Sequence, residues 1–173
     1  MSLRDLTKDK HAEAETTAFM KAVFAKTLPL ETWADFTYNK MIFYGAIEAK
    51  ARAEGFMDDL NGIDRAYWLY EDYKSMGIPA SVSPATAEYR QYILDLAPGL
   101  VLAHLYTWHM GDLHGGQMIR KIIDAPHRSL EFEDRVGLIN RLRVKLDDSL
   151  AEEANVAFDW AIRIMKEYDD YNI

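Results

Sequence analysis

Two short segments hold the residues best suited to chemistry. The first runs His104-Leu105-Tyr106-Thr107-Trp108-His109-Met110-Gly111-Asp112-Leu113-His114-Gly115-Gly116-Gln117. It places three glycines within six residues of a stretch that otherwise reads as helix, and each costs about 0.8–1 kcal/mol relative to alanine. Such a helix bends easily, and its bare backbone can lie close against another body. Gly111 and Gly115 are four apart and share a face. A tight helix–helix crossing would use that spacing, and so would the wall of a pocket. Asp112 favours the pocket, because an acid beside a glycine hinge is poor material for a helix crossing.

The second segment carries Arg4, Lys8, His11 and Glu15, spaced four, three and four. At 100° per residue they form one narrow polar stripe. A solvated face with helix ion pairs accounts for such a stripe. A metal site also accounts for it. Glu15, one turn beyond His11, can accept a hydrogen bond from one imidazole nitrogen, which fixes the tautomer and leaves the other nitrogen to bind a metal. Arg4 and Lys8 would then meet anionic groups of the same ligand. The chain has five histidines and no cysteine. Disulfides, thiolate nucleophiles, zinc knuckles and iron–sulfur ligation are therefore excluded.

The elements that must position these residues are all helical. Ser2 and Asp5 read as a capping box opening a helix that runs to about Lys26. Further helices are expected over about 30–54, 64–76 with Asp64 as N-cap, 84–97, 100–124, 130–148, and from a Ser149/Glu152 capping box to about Tyr168. The segments 55–62 and 77–83 read as loops, and no alternating strand pattern, repeat or domain linker is present. A length of 173 residues with 49% hydrophobic composition suits one domain over 1–173. The formal net charge of -8 argues against nucleic acid. The N-terminus has no apolar h-region, no apolar run approaches the roughly 18 residues of a membrane span, and the segment Lys166 to Ile173 is polar. A soluble, cytoplasmic protein without a membrane anchor is the expectation.

At the two segments the chain resembles haem oxygenases. The family's proximal-helix pattern appears as Leu3-Arg4-Asp5-Leu6-Thr7-Lys8-Asp9-Lys10-His11, followed by Ala14-Glu15 and Phe19-Met20. The distal-helix signature appears as Ala103-His104-Leu105-Tyr106-Thr107, then Gly111-Asp112-Leu113-His114-Gly115-Gly116-Gln117. The likeness continues more weakly through Leu142-Arg143, Glu152-Glu153-Ala154 and Ala157-Phe158, and so covers nearly the whole chain. It implies an all-α, single-domain helical bundle with haem between a proximal helix and a kinked distal helix.

The resemblance also implies roles. His11 is the proximal iron ligand and Glu15 its hydrogen-bond partner. Gly111 and Gly115 let the distal helix approach haem, and Asp112 organises water near bound O2. Arg4, Lys8 and Arg143 match basic positions near the propionates, and Tyr106 a tyrosine near the propionate edge or the distal network. The activity implied is cleavage of haem, with O2 and external electrons, to biliverdin (the IXα isomer), CO and ferrous iron. The electron donor implied is a ferredoxin, with Arg120, Lys121, Arg141 and Lys145 as a basic docking surface. His114 stands where many members have serine, and Trp108 and His109 also depart from the pattern. A family lysine near Ile139 and an asparagine near Ala161 are absent.

Other readings place different demands on the chain. A haem-buffering protein would need His11 but not Asp112. A di-iron carboxylate enzyme would need Glu-x-x-His pairs, and Glu48, Glu88 and Glu153 have no histidine three residues on. A plain helical interaction module leaves Gly-Asp-Leu-His-Gly-Gly unexplained. His104 and His127 read as structural or surface residues, and Trp33, Tyr38, Phe43 and Tyr44 as core.

Overall fold

The computed structural model describes residues 1–169, which form helices and turns with no strand among them. The helices are α1 (Leu3–Glu15), α2 (Ala18–Ala25), α3 (Leu30–Ala53), α4 (Ala66–Met76) and α5 (Pro84–Leu94). A segmented distal helix follows: α6 (Val101–His104), a π-helical stretch Leu105–Met110, α7 (Gly111–His114) and α8 (Gly116–Ile122). The chain continues through a 3-10 turn (Arg128–Leu130), α9 (Arg135–Arg143), a second 3-10 turn (Asp148–Leu150) and α10 (Ala151–Lys166). α3 is the central element and packs on α4, α5 and α6, while α10 packs on α1, α2 and the distal helix. Between them lie Phe19, Phe43, Tyr44, Ile47, Leu105 and Leu113, all at 0% exposure. No helix among the described residues is long and apolar enough to cross a membrane.

Local chemistry explains where the elements begin. The Ser2–Asp5 capping box forms as expected: the Ser2 backbone N–H donates to Asp5 at 3.0 Å, and the Asp5 N–H donates to Ser2 Oγ at 3.2 Å. The single helix expected to reach Lys26 is instead two, because Thr17 accepts from the Met20 N–H at 3.3 Å and caps a new start. The fourth helix does not use Asp64. The buried Glu48 carboxylate reaches across from α3 and accepts the Arg65 and Ala66 N–H groups at 2.6 and 3.2 Å.

The helix expected over 130–148 is shorter at both ends. Asp72, buried on α4, accepts the Arg128 and Ser129 N–H groups at 2.9 Å each and pins the 3-10 turn, and Asp134 then caps α9 through the Gly137 N–H. The Ser149/Glu152 box does not form, since the Ser149 N–H and hydroxyl both turn to Asp147. Of the polar C-terminal stretch, residues 170–173 lie outside the described residues.

Candidate functional site

A cleft of about 160 Å³ opens between α1 and the distal helix. His11, Ala14 and Glu15 line it from α1, and Thr107, Trp108, Gly111, Asp112 and Gly115 line the opposite wall. Phe19, Phe36, Lys40 and Phe158 close its floor. Trp33 also borders it, against the expectation that it serves the core alone.

The α1 wall is exposed and loosely held. The His11 side chain is 55% exposed, its Nε2 lies 3.2 Å from Glu15 Oε1, and its ring meets the Phe158 ring at 5.6 Å and 65°. A short carboxylate of this kind fixes which ring nitrogen carries the proton and leaves the second nitrogen to a ligand. Arg4 and Lys8 are exposed on the same helix and do not line the cleft itself. Tyr106 does not line it either, and its hydroxyl shares a 3.2 Å hydrogen bond with Thr7 Oγ1, tying the distal helix to α1.

The distal wall is built differently. The π-helical stretch widens the helix immediately before Gly111, which sequence reasoning attributed to glycine alone. The three glycines then divide by role. A Cβ added at Gly116 would sit 3.1 Å from Leu130 Cδ2 and 3.6 Å from Asp112 Cβ, so at this glycine, which also borders the cleft, Leu130 would have to shift to admit a side chain. A Cβ at Gly111 would meet nothing within 4 Å, and one at Gly115 only the Gly111 carbonyl at 3.7 Å. The face shared by Gly111 and Gly115 is thus not a helix crossing. It is bare backbone presented to open space.

Asp112 is 7% exposed, and both of its oxygens are engaged. Lys40 Nζ donates to Oδ1 at 2.9 Å and the Tyr44 hydroxyl to Oδ2 at 2.7 Å. The Lys40 ammonium also lies 5.0 Å from the centre of the Tyr44 ring. The acid expected to organise water, not to ligate the iron, is held by a buried cation and a phenol. One turn on, Glu48 lies 2.7 Å from His109 Nε2, and the His109 ring stacks on Tyr44 at 4.4 Å. Burial works to raise the Glu48 pKa, but the bonds from His109 and from two backbone N–H groups hold it below its ordinary value. Burial, with the adjacent Asp112 charge, pushes the Tyr44 phenol far upward, so it stays a donor.

Lys40, Tyr44 and Glu48 recur every fourth residue on α3 and face the distal helix as a polar ladder. Sequence reasoning placed Tyr44 in the core, which is correct for its ring and silent about its hydroxyl, and it passed over Lys40. The usable signal was the spacing itself, a lysine and a glutamate four residues to either side of a tyrosine.

A second charged group gathers beside the cleft. Partial burial and the nearby Arg143, Arg135 and Arg4 guanidiniums lower the His114 pKa, so the imidazole is kept neutral in a positive field. Among the described residues Arg4, Lys8 and Arg143 have no ion-pair partner, whereas Arg141 is bound to Asp134 and Lys145 to Asp59. The basic surface expected at Arg120, Lys121, Arg141 and Lys145 is thus half neutralised. Among the described residues, charge without an ion-pair partner remains at Arg120 and Lys121 as well as at Arg4, Lys8 and Arg143. Arg135 joins them and was not anticipated from the sequence.

A helical bundle that opens a largely apolar cleft, one wall bearing a single exposed imidazole and the other bare backbone, is a protein made to hold one flat prosthetic group edge-in. The chain belongs to the haem oxygenase family, whose model matches residues 1–139. It is 28% identical to haem oxygenase 2 of Synechocystis sp., over 97% of this chain and 82% of that protein. It is 24% identical to the haem oxygenase of Rhodella violacea, over 96% of this chain and 85% of that one. Among solved structures it matches haem oxygenase-2 of Synechocystis sp. in complex with haem and NO, with a TM-score of 0.84 and 26% identity over 97% of this chain and 84% of that one. The haem oxygenase of Leptospira interrogans shares the fold, with a TM-score of 0.83 at 24% identity over 95% and 97% of the two chains.

Proposed function

We propose that the protein is a biliverdin-producing haem oxygenase that takes its electrons from a ferredoxin-type donor. The observation that carries this reading is the pair Gly111 and Gly115, whose missing side chains serve nothing inside the protein and face an open cleft opposite His11. The residues fit haem. The His11 imidazole would supply a nitrogen ligand to the iron. Apolar side chains line the floor, and cationic groups stand outside the wall where propionates would emerge. Among the described residues no group of three acidic, histidine or cysteine side chains could hold a metal ion, whereas a haem iron needs only one ligand from the protein.

Bound haem supplies both the iron at which O2 is reduced and the ring that is opened to biliverdin, CO and ferrous iron. The protein supplies the rest. His11 ligates the iron and Glu15 orients its ring. Gly111 and Gly115 would let bare backbone approach the bound haem. Asp112, kept as a carboxylate by Lys40 and Tyr44, orients proton-bearing water without serving as a ligand. Arg4, Lys8 and Arg143 would hold the propionates through charge-assisted bonds, and Tyr106 would brace the edge of the slot through Thr7; this anchoring is what would select the α-meso carbon.

With no cysteine, the chain cannot hold an iron–sulfur cluster of its own, so electrons arrive from outside. Incubation with haem, ferredoxin, its reductase and a nicotinamide reductant should give a bilin absorption band and CO, and chromatography should show the IXα isomer as the main product. Stable haem binding without bilin would support a haem-buffering protein instead. A β or δ isomer would overturn the anchoring by Arg4, Lys8 and Arg143.

A further inference from the structure

We propose that Tyr89, His104 and Glu153, reached from the cleft through Trp108, form a redox-active tyrosine site that draws oxidising equivalents away from the haem pocket. The inference rests on the reading that haem occupies the cleft. Its geometry is independent of that reading and uses neither Asp112 nor its partners Lys40 and Tyr44.

Trp108 lines the cleft, and its indole Nε1 donates to the Tyr89 hydroxyl at 3.0 Å. An indole N–H can only donate, so the Tyr89 oxygen is the acceptor in that bond. The Glu153 carboxylate can only accept, so the neutral His104 ring carries its proton on Nε2, which lies 2.9 Å from Glu153 Oε2. Nδ1 then accepts, and the phenolic proton points toward it at 2.6 Å. The Tyr92 hydroxyl donates to the same carboxylate at 2.8 Å. Trp108 at one end, which can only donate, and the Glu153 carboxylate at the other, which can only accept, together fix the direction of the protons between them. Tyr89 and His104 are 0% exposed, so no water competes for these positions.

This arrangement suits loss of an electron and poorly suits loss of a proton alone. Burial raises the Tyr89 phenol well above its usual pKa, so the phenolate does not form. Oxidation must move the proton in the same event, and the acceptor is already in contact. The oxidant is a haem taken above the ferric level by a peroxide. One electron leaves Tyr89 through Trp108 and reduces that haem by one equivalent. The Tyr89 O–H bond breaks and an Nδ1–H bond forms on His104. The neutral tyrosyl radical then sits beside an imidazolium paired with Glu153. Reset needs one electron from an external reductant and return of the proton from Nδ1. The route outward is present: the Trp160 ring stacks on Tyr89 at 5.2 Å and meets Tyr92 at 5.6 Å, and both rings are only half-buried. The site would protect haem and pocket when peroxide is spent on the iron instead of on the ring.

The test is electron paramagnetic resonance of the haem complex, freeze-quenched after addition of hydrogen peroxide, with the Soret band recorded first to show that haem is bound. The wild type should give a tyrosyl signal that Tyr89→Phe loses, while the exposed Tyr67→Phe keeps it. Trp108→Phe, which leaves the tyrosine and histidine in place, should reduce the yield, and His104→Gln should slow radical formation and abolish its solvent deuterium isotope effect. A full tyrosyl signal in Tyr89→Phe overturns the proposal even with haem bound. Should haem fail to bind, flash oxidation of the haem-free protein by a ruthenium(III) complex reads the same site. A Tyr89-dependent radical there sustains the triad without the cleft reading, and an equal signal in Tyr89→Phe ends it.

Discussion

The two walls of the cleft are built on opposite principles. On α1, His11 and Glu15 are more than half exposed and touch little besides each other and Phe158. On the distal helix, Asp112 and His109 are buried and bound from behind by Lys40, Tyr44 and Glu48 of α3. The α1 wall is unfinished without a ligand, whereas the distal wall is complete without one. Ligand binding should therefore stabilise the α1 wall most, and damage to the distal wall should reach the fold as well as the chemistry.

The largest effect is expected on the α1 side. His11→Ala should abolish the imidazole-ligated haem spectrum while leaving the haem-free melting temperature nearly unchanged, because an exposed ring leaves no cavity. Added imidazole should restore the spectrum. An unaltered spectrum would move the ligand to another histidine and erase the contrast between the walls.

Asp112→Ala should lower bilin yield per bound haem by about a hundredfold, the scale of a lost proton-delivery group. Unlike the His11 change, it should also destabilise the protein by about 3–5 kcal/mol, because Lys40 is left buried and unpaired. The double variant Lys40→Met with Asp112→Asn should recover much of that stability and none of the yield, and a thermal denaturation cycle over the four proteins measures the coupling. Wild-type bilin yield from Asp112→Ala would assign the pair to structure alone.

The glycines sharpen the same contrast. Gly111→Ala should raise haem-free stability by about 0.8–1 kcal/mol, since alanine is the better helix former and its Cβ meets open space. It should weaken haem binding at the same time. Gly116→Ala should do the reverse to the fold, because Leu130 must give way. Equal effects of the two substitutions, by calorimetry and haem titration, would remove the distinction drawn between them.

The smallest effect concerns pH. Glu48 has a folded pKa below its unfolded value. Its contribution is therefore fully present above the unfolded pKa and is lost as pH falls through the folded one. Glu48→Gln should flatten the acid limb of the stability profile and leave the neutral region's slope unchanged. An acid limb as steep as the wild type's would place the linkage elsewhere.

Legibility in the sequence followed the same division. The α1 stripe and the glycine run could be read because they are local: four residues on one helical face, and a cluster of glycines whose cost demands a reason. The ladder behind Asp112 could not, because Lys40 and Tyr44 meet it from 72 and 68 residues away and Glu48 meets His109 from 61. A shorter reach, 17 and 18 residues, misled the reading of α4, where Asp64 looks like a cap and a carboxylate from α3 does the capping. Trp108 and His109 stood out only as departures, and their partners Tyr89 and Glu48 give those departures a physical sense. The split between α1 and α2 turned on a single threonine hydroxyl, a margin that periodicity does not resolve.

The π-helical stretch sets how the chain can change length. An α-helix turns about 100° per residue, and the wide turn over Leu105–Met110 accommodates one residue beyond that rhythm before Gly111 begins. Losing one residue there would restore a regular helix with the glycine face still in phase, whereas gaining one would exceed what the wide turn absorbs and swing the glycine face and Asp112 away from the cleft by about 100°. The loop over 55–62 ends before α4 and carries no such register. A single-residue insertion should therefore be tolerated at Asp58 and should abolish haem binding at Leu105–Met110, so that the length of this helix is under stricter constraint than the identity of most of its residues.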